Sequence, residues 1–332
     1  MPVQYMCTAV LLAGSVLTSL VALAAPEITA DLSPQARQYL ERAKSGDMPA
    51  MEMTDPERMA KLRKALGAMF LKSALKIDPD LHLTEQEMNN VSGYWVNSTK
   101  PEKTGRVILY LHGGGHILGS AQTNLGSAIR VHEASGIPVL SVEYRLAPEH
   151  PFPAGLDDTV TAYRWLLEEG YDAQSIGVYG DSAGGGLSVG LGLVAREQDL
   201  PMPAAIAVLS PLLDVSRVGD TRATLADIDP ILRSPIGGRY GMYVGDADPR
   251  NPLLSPVYAD YSGFPPLLIQ VGTRERLLSD SARLARQARN HGVDVQLDVW
   301  DGMWHVWQDT PDVPEAEQAC RELAGFFTRN LQ

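Results

Sequence analysis

The sequence predicts an α/β domain in which a mostly parallel sheet is covered by helices on both faces. Two observations carry this. Short apolar runs alternate with helical stretches along the chain, and residues suited to catalysis follow several of those runs, where the carboxyl ends of parallel strands place a binding crevice. The 332 residues, 45% of them apolar, can bury a large core, and that length suits one large domain with an appendage. A formal charge of -12 argues against a nucleic-acid partner, because neutralising phosphates needs a basic face that this composition does not supply.

In chain order, residues 1–25 carry no charged side chain, and residues 9–25 form an apolar run of small residues ending in Ala22-Leu-Ala24 before Ala25-Pro26. That pattern resembles a cleavable secretory signal, although no Lys or Arg precedes the run, and it places the mature protein in the periplasm or outside the cell. Without such a signal the protein would be cytoplasmic. The run is shorter than the roughly 20 residues needed to span and is diluted by Gly14, Ser15, Thr18 and Ser19, so no stable membrane span is expected in the mature chain. Cys7 and Cys320 are the only cysteines, and cleavage would leave Cys320 alone, with no internal disulfide.

Residues 33–77 read as helical, with Ser33-Pro34 as cap and first turn and apolar side chains at Met59, Leu62, Leu66, Met69 and Phe70. The run 106–111 reads as the first strand, followed by strands at 137–142, 175–179, 204–209, 266–271 and 294–300. Residues 216–248, rich in Asp, Gly and Arg and weakly periodic, suit an irregular insertion or lid.

Gly180-Asp-Ser182-Ala-Gly184 sits between a strand and a helical stretch, the setting of a nucleophile elbow, in which glycines permit a sharp turn that exposes Ser182 at the helix start. The plainer alternative is a glycine-rich turn with a capping serine. His112-Gly-Gly-Gly115 follows the first strand, and its backbone N–H groups can point into a cavity unobstructed; with the N–H of Ala183, those of Gly114 and Gly115 are the expected oxyanion donors. A phosphate-binding turn is the rival, but no Lys-Ser/Thr follows. Among seven histidines, His305 alone lies in a loop after the last strand, late in the chain where the base of a Ser-acid-His order belongs. His112 is expected to pin the glycine loop, His116 to line the pocket, and His291 to cap a helix end. For the acid, Glu275 lies just beyond the run 266–271, whereas Asp280 is placed at a helix start where it would serve as an N-cap. Glu275 is the choice and Asp280 the alternative.

These motifs, with Tyr144-Arg-Leu-Ala-Pro-Glu-His-Pro-Phe-Pro-Ala154 and Gly302-Met-Trp-His305-Val, resemble the bacterial hormone-sensitive-lipase family of esterases over residues 105–331. The resemblance implies an α/β-hydrolase fold, with a mostly parallel eight-stranded sheet flanked by helices and a helical cap. It divides the chain into a cap segment at 26–90, a catalytic domain at 91–332 with a further cap or lid piece at 216–248, and requires no metal or organic cofactor. Two positions depart from the family pattern. His116 stands where an aromatic residue usually follows the glycines, and Glu275 where Asp followed by Pro-Leu is usual, as in a Glu branch similar to lactone hydrolases and acetyl-hydrolases. The expected activity is that of a serine carboxylesterase acting on short-to-medium acyl esters of small molecules. The alternatives are a lactone hydrolase or deacetylase with the same triad, or a non-catalytic small-molecule receptor on the same scaffold; homo-oligomerisation stays open.

Overall fold

A computed structural model describes residues 31–43, 56–100, 102, 105–232 and 237–332. The expected signal at 1–25 lies outside these residues. Helix α1 (Pro34–Ala43) starts after Ser33, whose hydroxyl accepts the N–H of Ala36 at 3.1 Å. Both the N–H and the O–H of Ser33 also donate to the Glu315 carboxylate, at 2.7 and 2.8 Å, which pins this helix to the far end of the chain. Helix α2 (Pro56–Ile77) completes the helical stretch expected over 33–77, and residues 44–55 lie outside the description.

Two strands precede the run expected to be the first. They are β1 (Leu83–Met88) and β2 (Val91–Val96), an antiparallel hairpin that belongs to the sheet, so the helical segment ends at Ile77 rather than at residue 90. The reason is local. Asn89 and Asn90 take positive φ angles of 50° and 71°, the backbone of a two-residue hairpin turn, and the mostly polar β1 is held by its pairing with β2.

The remaining elements alternate: β3 (Val107–Leu111), α3 (Gly126–Ser135), β4 (Val139–Val142), α4 (Ala154–Glu168), β5 (Ile176–Asp181), α5 (Ser182–Glu197), β6 (Ala205–Leu209), then α6 (Thr221–Thr224) and α7 (Gly237–Val244) in the stretch expected to be irregular. The chain ends with β7 (Leu267–Gly272), α8 (Leu278–Asn290), β8 (Val295–Trp300) and α9 (Pro314–Asn330). The eight strands form one sheet in the order β1-β2-β4-β3-β5-β6-β7-β8, antiparallel at β1/β2 and β2/β4 and parallel from β4 onward.

Alternation within the central strands feeds two cores. Val107, Leu109 and Leu111 of β3 face one cluster with Leu156 of α4, Leu187 of α5 and Leu284 of α8. Ile108 and Tyr110 face the other, with Ile129 of α3 and Phe327 of α9. Strands buried on both faces read as continuous apolar runs, which is why β3, β6 and β7 were legible in the sequence. A third cluster joins Met59 of α2 to Tyr243 and Val244 of α7 over Ile117 and Leu118, bringing both helical pieces above the turn that follows β3.

Candidate active site

Ser182 follows directly on β5 and is the first residue of α5. Its φ of 50° is the strained, left-handed backbone that a strand-to-helix reversal requires. Close packing makes glycine obligatory at position 184, where a Cβ would overlap the carbonyl oxygen of Leu111. The Ser182 Oγ lies 3.0 Å from His305 Nε2, and His305 Nδ1 lies 3.0 Å from the Glu275 carboxylate. With Nδ1–H donating to Glu275, Nε2 is free to accept the serine proton. Glu275 is fully buried, and its second oxygen accepts the Gly272 N–H at 2.7 Å and the Ser210 O–H at 2.8 Å. Ser210 Oγ in turn accepts the N–H of Val306 at 3.0 Å, so one hydroxyl locks the loop of Glu275 to the loop of His305. Nothing in the sequence around Ser210 pointed to that role. Burial pulls the His305 pKa down, but the hydrogen bond and charge of Glu275 outweigh it, with smaller contributions from Asp229 and Asp181, and the pKa rises.

The glycine loop is built from below. Asp181 accepts the N–H of Gly113 at 2.8 Å and the O–H of Tyr110 at 2.7 Å. Tyr144 donates its O–H to the carbonyl of His112 at 2.5 Å and stacks on the His112 ring at 4.2 Å, while Ala147 N–H donates to the carbonyl of His116 at 2.9 Å. The run from Tyr144 to Ala154 is thus a brace for this loop, itself held by Arg145 paired with Asp158 at 2.7 Å. Gly114 takes a φ of 121°, and its carbonyl accepts from Leu118 N–H at 3.0 Å. Among the described residues, no acceptor takes the N–H of Gly114 or Gly115, and that of Ala183 belongs to the unpaired first turn of α5. His112 is buried, which lowers its pKa to about 4 and suits a neutral pinning role. His116 is also buried and stacks on Tyr243 of α7 at 3.6 Å. His291 follows α8, with Nδ1 2.9 Å from the carbonyl of Gln287, as expected of a helix end.

Asp280 is not an N-cap. The cap position of α8 is Leu277, without a side-chain cap, and Asp280 lies inside the first turn. Its buried carboxylate accepts the N–H groups of Leu213 and Asp214, at 3.0 and 3.1 Å, and pairs with Arg222 at 2.6 Å. It fastens the loop after β6 and helix α6 to α8, contacts that no local pattern announces.

A cavity of about 680 Å³ between α2 and the turn at 143–150 is lined by Arg63, Tyr144, Arg145 and His150, among others, and by none of Ser182, Glu275 and His305. Among the described residues, no cluster of His, Cys, Asp and Glu is arranged to hold a metal ion, and no helix is long and apolar enough to cross a membrane.

Residues 108–309 match the family model described as alpha/beta hydrolase fold. The chain belongs to that family. An acetyl-hydrolase of Streptomyces hygroscopicus is 40% identical over 237 residues, covering 71% of this chain and 78% of the relative. An esterase of Acinetobacter venetianus is 33% identical, covering 67% and 75%. The crystal structure of an esterase from the bacterial hormone-sensitive lipase family superposes with a TM-score of 0.81 at 37% identity, covering 90% of this chain and 99% of that one. The α/β-hydrolase described here is therefore an enzyme of the bacterial hormone-sensitive-lipase type, as its motifs led one to expect.

Proposed function

We propose that this α/β-hydrolase is a serine carboxylesterase for short-to-medium acyl esters, with Ser182 as nucleophile, His305 as base, Glu275 as its acid partner, and Gly114, Gly115 and Ala183 as oxyanion donors. The observation that carries the reading is the unbroken line from Ser182 Oγ through His305 to Glu275, with 3.0 Å at each step. His305 takes the serine proton as Oγ attacks the ester carbonyl, and the three N–H groups receive the charge on its oxygen. The imidazolium then protonates the leaving alcohol. Water, deprotonated by the same imidazole, releases the carboxylic acid and restores Ser182.

A preference for short acyl chains agrees with the names of relatives, which include an ethyl acetate hydrolase of Pseudomonas putida, 30% identical over 82% of this chain, and α2 and α7 pack together above the glycine loop. Two relatives named as acetyl-hydrolases, one of them putative by name, favour deacetylation as a second reading with the same residues. Ser182→Ala should abolish turnover of p-nitrophenyl acetate, and His305→Ala likewise, while His291→Ala should not. Retained turnover in pure Ser182→Ala protein would remove the nucleophile. A series from acetate to palmitate, with acetylated small molecules and lactones alongside, separates the substrate classes, and a preference for palmitate at an oil interface would contradict the short-chain reading. Residues 1–25 act as an export signal in this reading, and a mature protein starting at Ala25 or Pro26 would bear that out.

A further inference from the structure

Beyond the residues of the proposed triad, one fully buried carboxylate near it is unused by the mechanism. Asp229 lies after α6, and one of its oxygens accepts the N–H groups of Ile231 and Leu232, at 2.8 and 2.9 Å. The other oxygen crosses to the loop of the acid and accepts the N–H of Arg276 at 2.9 Å, the amide directly after Glu275. The Arg276 side chain returns the connection. Its Nε donates to the carbonyl of Arg222 and its Nη1 to the carbonyl of Leu232, each at 2.8 Å. Leu232 itself lies against Ala183, Leu212 and Leu277, beside a proposed oxyanion donor. A closed ring of hydrogen bonds therefore joins residues 222–232 to the loop that sets the position of Glu275.

The same carboxylate acts on the base. The negative groups that bear on His305 are Glu275 after β7, Asp181 at the elbow and Asp229 from this segment. Arg276 of the Glu275 loop donates its amide to Asp229, and Tyr39 of α1, within reach of the Asp229 charge, stacks on Trp304, the neighbour of His305, at 4.1 Å. The Tyr39 phenol is pushed up to about 12, by burial first and then by the charge of Asp229.

We propose that Asp229 is a positioning residue of the catalytic centre, which holds the Glu275 loop against the 222–232 segment and supplies a further buried negative charge to the imidazolium of His305. The proposal rests on the esterase reading above. It differs from the role of Glu275 in that Asp229 acts through the Arg276 amide and through space, without a hydrogen bond to His305.

The test is Asp229→Asn in the full chain, assayed with p-nitrophenyl acetate per active site titrated by the acyl-enzyme burst. Asparagine keeps the shape, and its oxygen can still accept from Ile231 and Leu232, but its NH2 faces the Arg276 N–H and the charge is gone. The expected result is a kcat lower by about tenfold or more. The acidic limb of the kcat/KM profile should also move to lower pH by about half a unit or more, because His305 must be neutral to act as base and has lost a negative neighbour. Asp229→Glu, which restores the charge at the expense of fit, should return the limb towards its wild-type position while kcat stays low. The position of the limb does not depend on how much protein folds, so poor yield of a variant does not blur it. An unmoved limb in Asp229→Asn overturns the proposal even if turnover falls, since a merely structural residue gives that result. A wild-type enzyme with no ester hydrolysis would overturn the esterase reading and this proposal together, whereas an active wild type beside an unmoved limb removes Asp229 alone.

Discussion

Glu275 and Asp280 are both fully buried carboxylates, yet their surroundings assign them separate work. Glu275 faces His305, Ser210 and Gly272, whereas Asp280 faces Arg222 and the amides of Leu213 and Asp214. Glu275→Gln keeps the shape but loses the charge that orients the imidazole, so kcat should fall by roughly 10³- to 10⁴-fold with a nearly unchanged melting midpoint. Asp280→Asn removes the carboxylate charge that pairs with the buried Arg222 guanidinium, and should cost about 3 kcal/mol of stability while turnover per titrated site stays close to wild type. Kinetics and denaturant unfolding on both variants check the pair; the reverse pattern would move the acid to Asp280. A further expectation concerns the base. Because the pKa of His305 is raised, the acidic limb of kcat/KM should lie above pH 6.5, and a pH-rate profile reads it directly. At this scale the sequence pointed to Ser182, His305 and Glu275, each by its place just beyond a strand end, and the structure brings the three side chains within hydrogen-bond distance of one another. It could not disclose Ser210, Asp229 or the true work of Asp280, whose partners are brought together only by folding.

Among the elements, the glycine loop after β3 carries the sharpest contrast. Gly114 has a φ of 121°, and a Cβ there would overlap the carbonyl oxygen of Leu118, while a Cβ on Gly115, at φ 65°, would meet nothing within 4 Å. Gly114→Ala must therefore displace the loop, and should lower kcat by roughly 10²- to 10³-fold, the loss usual for one oxyanion donor. Gly115→Ala asks only for a left-handed backbone and should lose about tenfold less. Equal losses in the two variants would mean that the loop is shaped by something other than these contacts. The loop itself was plain in the sequence, but its supports were not. Tyr144 and Ala147 could be read as parts of a family motif without any hint that they brace His112 and His116. The hairpin of β1 and β2 was missed for a related reason: the residues of β1 are mostly polar, and its strand character comes from pairing with β2 rather than from an apolar run. Asn89-Asn90 was the one local signal, a pair suited to the positive φ angles of a tight turn.

For the whole molecule, the fold was legible because a parallel sheet buried on both faces writes itself as apolar runs, while the response of the protein to acid depends on which polar groups those layers enclose. His112 and His116 are both enclosed, and burial lowers their pKa values to about 4 and about 3, the charge of His112 adding to the effect at His116. Above pH 6.5 each is neutral folded or unfolded. As pH falls through 6.5 the unfolded chain takes up protons that the folded chain refuses until about 4 and about 3, so the stability that these neutral histidines leave intact is lost over that window. Asp181, Asp280 and Asp309, whose carboxyls are raised by burial, work in the opposite sense, since the folded chain holds protons that the unfolded chain releases above 3.8. The wild-type slope sums all of these, and a difference between two chains isolates one. His116→Phe keeps a ring on Tyr243, removes the Nδ1 that is buried without a partner, and removes one proton acceptor from the unfolded state. Its stability should therefore fall less than that of the wild type between pH 6.5 and pH 4.5, by about 2 kcal/mol. Denaturant unfolding at the two pH values gives the comparison, and an equal acid loss in both chains would show that His116 takes up its proton in the folded protein as readily as in the unfolded one.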